Sequence, residues 1–262
     1  MTALNIAATG AIAQTSAIDN IANNIANANT TAFKKGRFST TDLLYQTERR
    51  AGGGVNAASD VIVPTSIQYG AGAAVSAIIR EQTQGHAINT GNQLDLSIDG
   101  PGFFVLNLPD GNQVFTRDGA FQIDPTTNQI VNSLGYVLSP GIEIPIDYKK
   151  ILIKSDGTVF AELPNNPIPE MQGQLDMALF INPTGLELKG DNILLQTDAS
   201  GQAQMGLAAQ DNYGLIKSGW LEGSNVEPII EMTDLVQAQR AYEMNVKVIS
   251  TSDQMMEKVT NV

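Results

Sequence analysis

The sequence contains no cysteine, which excludes a disulfide framework and any thiolate nucleophile or ligand. It contains one histidine, His86, too few for a histidine-rich metal site. His86 stands near Gln84, Gly85 and Asn89 in a turn-like stretch, where an exposed imidazole is expected. Cations are scarce, with 15 Lys and Arg against 27 Asp and Glu and a formal net charge of -12. Such a surface repels phosphate, so no nucleic-acid partner is expected. No apolar run approaches the roughly 18 residues of a membrane-spanning helix. The N-terminus also lacks the basic segment of a secretory signal. Asp19 is the only charged side chain up to Phe33, and the first lysine, Lys34, lies behind the apolar stretch rather than before it. A cytosolic protein, or one exported without cleavage, is the expectation.

The constellations that carry chemistry are missing as well. Carboxylate pairs such as Asp95 with Asp99 or Glu227 with Glu231 are what 27 acidic residues produce by chance. The oxygen-rich stretch from Asp124 to Gly135 lacks the glycine and terminal glutamate of a calcium loop and reads as a turn. Gly52-Gly53-Gly54 is not followed by Gly-Lys-Ser/Thr, so it is no phosphate loop. No catalytic residue, metal site or cofactor is expected.

Three zones carry positive signals. Thr2 to Thr31 reads as one helix, with Leu4, Ala11, Ile18 and Ile25 recurring every seven residues and Ala7, Ile21 and Ala28 three residues on, Gln14 being the exception. A seven-residue apolar repeat draws one narrow seam along a helix. The last zone, Ser224 to Val262, repeats this with Leu235, Tyr242, Ile249 and Met256, and Met232, Ala238, Val246 and Val259 widen the seam. Ser224-Asn225-Val226-Glu227 reads as a capping box, and Pro228 falls in the first turn. Between the helices the period changes to two. Leu94, Leu96 and Ile98 alternate with polar residues, and Phe103 to Leu108 runs into Pro109-Asp110-Gly111 before Val114-Phe115-Thr116, a strong hairpin signal. Asp-Gly recurs at Asp118-Gly119 and Asp156-Gly157. The Pro-rich run from Leu163 to Glu170 reads as an exposed connection. Gln46 to Gly72 is glycine-rich yet carries Val61, Ile62, Val63, Ile67 and Tyr69, which is as suited to a docking arm as to a flexible linker.

The expected fold class is α+β: long terminal helices paired as a coiled-coil-like domain (1–32 and 224–262), an extended connecting arm (33–74), and a mostly antiparallel β-rich domain (75–223). The two seams can meet only if the termini come together. Burying a Leu or Ile side chain stabilises by about 1.5–3 kcal/mol, while ordering one residue of backbone costs about 1–2 kcal/mol. A lone helix pair is therefore near balance, and Asn20, Asn23, Asn24, Asn27 and Asn29 weaken the first helix further. The ends are expected to be loosely ordered in a single chain and to gain order from neighbouring copies. The candidate subunit-interface residues are Leu4, Ala11, Ile18, Ile21, Ile25, Leu235, Tyr242, Ile249 and Met256. The competing reading is a soluble β-rich binding module whose helical ends dock on its own core.

Several of these segments resemble a known family. Ile21-Ala22-Asn23-Asn24-Ile25-Ala26-Asn27 with Thr30-Thr31-Ala32-Phe33-Lys34 is similar to the N-terminal signature of bacterial flagellar rod and hook axial proteins. Gly223-Ser224-Asn225-Val226, Val236 to Glu243 and Ser250 to Met255 resemble its C-terminal signature. Gly100 to Phe104 and Phe115 to Phe121 resemble its central hairpin. The length, and Asp42-Leu43-Leu44-Tyr45-Gln46-Thr47, are similar to the distal-rod type; proximal-rod and hook-type members are the alternatives.

The resemblance implies a structural subunit, not an enzyme. It implies export through the flagellar type III apparatus without a cleaved signal, followed by self-assembly in the periplasm into a helical tube that transmits torque. Its implied partners are copies of itself, proximal rod proteins, hook protein, and the peptidoglycan- and outer-membrane-associated rings. The terminal helices would surround the export channel, and the Gln46–Gly72 stretch would pack between subunits and stiffen the rod.

Overall fold

The computed structural model describes residues 2–49, 65–164, 166–210 and 212–260. The fold class is α+β: two terminal helices, α1 (Thr2–Ala26) and α2 (Pro228–Thr260), pack on each other, and the chain between them is mostly antiparallel β. Two compact units emerge. One comprises Met1–Ala26, Gly36–Ile79 and Glu227–Val262, and the other Asn27–Lys35 with Arg80–Val226.

In the first unit α1 stops at Ala26, short of the expected Thr31. A turn follows, in which the Thr30 N–H donates to the Asn27 carbonyl at 3.2 Å and its hydroxyl to Asn27 Oδ1 at 3.2 Å. Asparagine offers the backbone these local bonds in place of helix, and that ends the repeat. α2 starts at Pro228, which needs no N–H partner at the first helical position. The N–H groups of Ile230 and Glu231 both donate to the Glu227 carbonyl at 3.1 Å. The expected capping box is therefore corrected. Ser224 Oγ instead accepts the Val226 N–H at 3.2 Å, closing a turn ahead of the helix.

The flanks of the glycine-rich stretch form a two-stranded ribbon. Gly36–Asp42 pairs with Ala73–Arg80, and Tyr45–Arg49 pairs antiparallel with Ile67–Gly70. Bonds from Leu43 N–H to the Gly72 carbonyl (2.9 Å) and from Ala71 N–H to the Leu44 carbonyl (3.1 Å) join the two pieces. Gly72 has φ +119°, and a Cβ there would lie 2.1 Å from Thr9 Oγ1, so only glycine lets ribbon and α1 approach this closely. Val61, Ile62 and Val63 lie outside the described residues.

The second unit holds a nine-stranded sheet. Its main path runs Glu187–Gly190, Ile193–Leu195, Gln113–Thr116, Phe103–Asn107, Val137–Leu138, Ile130–Asn132, Phe121–Ile123, with Asp176–Leu179 branching from Phe103–Asn107 and pairing in turn with Gln204–Leu207. The Pro109-Asp110-Gly111 hairpin is present, pairing Phe104 with Thr116 and Asn107 with Gln113. Phe103–Leu106 is a continuous apolar run because both faces of its strand are buried. Phe104 and Leu106 enter the main core with Leu96, Ile98, Phe121 and Leu138, while Phe103 and Val105 enter a second one with Phe115, Phe180 and Leu186. Asp156-Gly157 turns the hairpin of Lys150–Ile153 with Thr158–Leu163.

Two expectations are corrected here. The Pro-rich run is no free connection, since Asn166–Gln174 forms the edge strand of a three-stranded sheet, where prolines are tolerated. Asp118-Gly119 does not turn a hairpin. Gly119 lies flat on Leu96, accepting its N–H at 3.0 Å, and a Cβ would fall 1.6 Å from the Leu96 carbonyl oxygen. Gly119→Ala is therefore expected to cost on the order of 3 kcal/mol in urea unfolding, because backbone rather than a movable side chain must give way. A cost below about 1 kcal/mol would contradict this close approach.

Candidate assembly site

Two contacts set the geometry of the helix pair. Asn24 Nδ2 donates to Glu231 Oε2 at 3.1 Å. Two heptads back along α1 is Gly10, and two heptads on along α2 is Asn245; a Cβ on Gly10 would lie 3.0 Å from Asn245 Nδ2. The helices are thus antiparallel, and the layer midway between these contacts falls at Ala17 and Ala238, both buried. One more heptad brings Ala3, itself exposed, level with Ser252, which is buried. The line on α2 is Glu231, Ala238, Asn245, Ser252, facing Ala3, Gly10, Ala17, Asn24 on α1, close from Gly10 to Asn24 and open at Ala3. Small residues let the backbones come close, and three of the four layers carry polar groups.

The sequence-predicted apolar residues border this line. On α1, Ala11 is buried and Leu4, Ile18, Ile21 and Ile25 are half-buried. On α2, Leu235 and Ile249 are half-buried, while Tyr242 and Met256 remain exposed. The companions assigned to the α2 seam divide. Ala238 is buried, but Met232 and Val246 lie on an exposed flank. The companion positions are Glu231, Asn245 and Ser252 instead, and their polarity hid them from an apolar repeat. The side chain of Val259 lies outside the described residues.

Among the described residues, much of α2's apolar surface therefore has no cover. Met244 (63% exposed), Val248 (45%) and Met255 (61%) share one flank, following each other at four- and seven-residue steps. Met232 and Val246 mark the opposite flank, and Ile229 and Val236 lie beyond it, both exposed. The ribbon adds Leu44, Tyr45, Tyr69 and Ile78, all exposed. A two-stranded ribbon and a helix pair with open apolar flanks are each marginal alone, and contiguous exposed apolar surface of this kind marks an interaction site.

Polar groups fasten the root of the ribbon. Asn24 Oδ1 accepts the Gly36 N–H at 2.9 Å and its Nδ2 donates to the Gly36 carbonyl at 3.0 Å; Asn20 Nδ2 donates to the same carbonyl at 2.7 Å. Both asparagines are buried. The residues that weaken α1 by propensity thus satisfy backbone groups that burial would otherwise leave unpaired.

The second unit contains a buried ion cluster that the sequence did not reveal, since its members are remote in the chain. Glu222, 2% exposed, accepts Lys34 Nζ and the Gly85 N–H on Oε1 and Arg117 Nη1 on Oε2. Lys34 Nζ also donates to the Thr83 carbonyl at 2.8 Å, and Arg117 Nη2 to the Gly100 carbonyl at 2.9 Å. The Arg117 guanidinium sits 5.3 Å from the Phe103 ring centroid. Burial pulls the Lys34 ammonium below its ordinary range, and Glu222 opposes that pull. Burial lowers Arg117 likewise, again against Glu222. One carboxylate shared by two cations and three further donors or acceptors is a structural arrangement. Among the described residues no group of three or more His, Asp or Glu could hold a metal ion, and no helix is long and apolar enough to cross a membrane.

Comparison with known proteins agrees with this architecture. Three family models match: flagella basal body rod protein over residues 4–34, flagellar hook protein FlgE/F/G D1 domain over 97–161, and flagellar basal body rod FlgEFG protein C-terminal over 217–262. The chain is 47% identical over 255 residues to the flagellar basal-body rod protein FlgG of Agrobacterium fabrum, covering 97% of each chain. It is 42% identical over 262 residues to FlgG of Caulobacter vibrioides, covering 100% of this chain and 99% of the relative. With FlgG of Bacillus subtilis the identity is 34% over 249 residues, 94% of this chain and 92% of the relative. The chain belongs to the flagellar basal-body rod protein family, whose members are structural proteins rather than enzymes. Within that family it is of the FlgG type, a structural protein of the distal rod.

Proposed function

We propose that the chain polymerises through its terminal helices and ribbon into a straight, rigid tube. The exposed apolar flanks of α2 carry this reading: Met244, Val248 and Met255 on one side and Met232 and Val246 on the other are exposed among the described residues and supply the area that neighbouring copies would bury. Subunits sharing one heterologous contact build open helical assemblies. Torque then passes through packed helices and ribbons, with no covalent chemistry. Leu4, Ala11, Ile18, Ile21, Ile25, Leu235, Tyr242, Ile249 and Met256 border the pair and are the proposed interface residues that continue from one copy to the next. The helices face the export channel, and the β-rich part faces the rings associated with peptidoglycan and the outer membrane. Proximal rod protein and hook protein adjoin the two ends of the tube. The chain reaches the periplasm through the flagellar type III export apparatus without losing a signal peptide.

Concentrating the purified chain and imaging it by negative stain tests the reading. Straight tubes, with helix content by circular dichroism rising as they form, are expected. A chain that stays monomeric at millimolar concentration with unchanged helix content would fit a self-contained binding module instead.

A further inference from the structure

The α1–α2 seam is polar where an apolar residue would stabilise it more, and that choice has a consequence for assembly. In a tube of many copies every α1 is close to several α2 helices, all with the same heptad repeat. Apolar residues at each seam position would allow the pair to slip by a heptad with little penalty, because Leu235, Tyr242, Ile249 and Met256 would each meet another apolar layer. We infer that Glu231 and Asn245 are the residues that select one register for the pair.

The geometry gives each a distinct role. Glu231 is buried, and Asn24 donates to it at 3.1 Å. A slip by one heptad in one direction sets that carboxylate against Ala17, which has no side-chain donor. Asn24 in turn cannot follow Glu231, because its amide is bonded on both sides to Gly36, at 2.9 and 3.0 Å. Asn24 is therefore a fixed donor at one height on α1, and only one register brings a buried carboxylate to it. Asn245 adds a steric condition two heptads away. Its amide packs against Gly10, where a methyl group would stand 3.0 Å from Nδ2, closer than ordinary contact. A slip of one heptad places Asn245 against Ala17 or Ala3, which both carry that methyl. A buried polar group that costs stability and fixes register is a known use of such residues. Here the hydrogen bond and the close packing fall in different layers and agree on the same alignment.

The absence of cysteine allows a direct test on the full chain. Spin labels are attached at Ile12→Cys and Met244→Cys, two exposed positions on the facing helices, and distances are read by pulsed electron resonance. The labelled chain is diluted into unlabelled chain so that only distances within one molecule are seen. The unaltered seam is expected to give one narrow distance. Glu231→Leu with Asn245→Leu keeps Asn24 satisfied by Gly36 and makes the seam apolar. It is expected to hold its helix content and to show a second population displaced along the axis by about one heptad, roughly 10 Å. Glu231→Gln alone, which retains an acceptor for Asn24, is expected to keep the single distance.

A single distance in the double variant would overturn the inference, and so would several distances in the unaltered chain. Loss of helix in the double variant would also overturn it, since the polar residues would then be needed for folding rather than for alignment. The inference rests on the polymer reading only for its use. If no tubes form and the unaltered chain still shows one distance that splits in the double variant, the register assignment stands and the polymer reading fails.

Discussion

A chain carrying Val248→Asp is expected to fold like the unaltered protein and to stay monomeric where the unaltered protein forms tubes. Val248 is on the open flank of α2 between Met244 and Met255, and in one chain it is nearly half exposed. A carboxylate at such a position remains hydrated, and surface substitutions of this kind change stability by about 0.5 kcal/mol or less. In the tube the same carboxylate would be covered by a neighbour and left without a cation. Leaving a buried charge unpaired costs about 3–5 kcal/mol, and every subunit contact would carry that cost. Sedimentation and electron microscopy read the assembly, and a thermal melt reads the fold. Asp at Ile249 or Ile25 would be less informative, because both are half-buried within the pair and would disturb the monomer too. Tubes of normal yield from Val248→Asp would remove this flank from the interface.

Glu222→Gln is expected to have the largest effect on stability of any single change considered. The substitution keeps size and shape and removes only the charge. Lys34 and Arg117 would then be two buried cations with no anion between them, their side chains each 9% exposed. The expected cost is about 3–5 kcal/mol, a large fraction of the roughly 5–15 kcal/mol by which a domain is stable. The β-rich unit should melt at clearly lower temperature, followed by near-ultraviolet circular dichroism of its aromatic core. A loss below about 1 kcal/mol would mean that water or a counter-ion compensates the cations as well as Glu222 does.

The two cases differ in how far the sequence announced them. The line Leu235, Tyr242, Ile249, Met256 could be read directly because large apolar side chains recur every seven residues. Its companion line could not, because Glu231, Ala238, Asn245 and Ser252 share only their spacing and their contact with α1. On α1 the close line, Gly10, Ala17, Asn24, runs one residue before the predicted Ala11, Ile18, Ile25. Small residues mark close approach, and an apolar count gives them little weight. The hairpins at Asp110-Gly111 and Asp156-Gly157 were legible because turn chemistry is local. Asp118-Gly119 looked identical and does something else, since the demand on Gly119 comes from Leu96, far away in sequence. The edge strand Asn166–Gln174 was masked by its prolines, which an edge can accommodate. The cluster of Lys34, Arg117 and Glu222 had no sequence signal at all, because three isolated charges acquire meaning only when the chain brings them together.

Methionine oxidation reads the central claim most directly. In a single chain Met244 and Met255 are open to solvent, while Met177 in the β core is fully buried, so dilute peroxide should convert the first two to sulfoxide and spare the third. After assembly, peptide mass spectrometry is expected to find Met244 and Met255 protected to nearly the level of Met177. If both were oxidised as fast in the tubes as in the free chain, the flanks of α2 would not be where the copies meet.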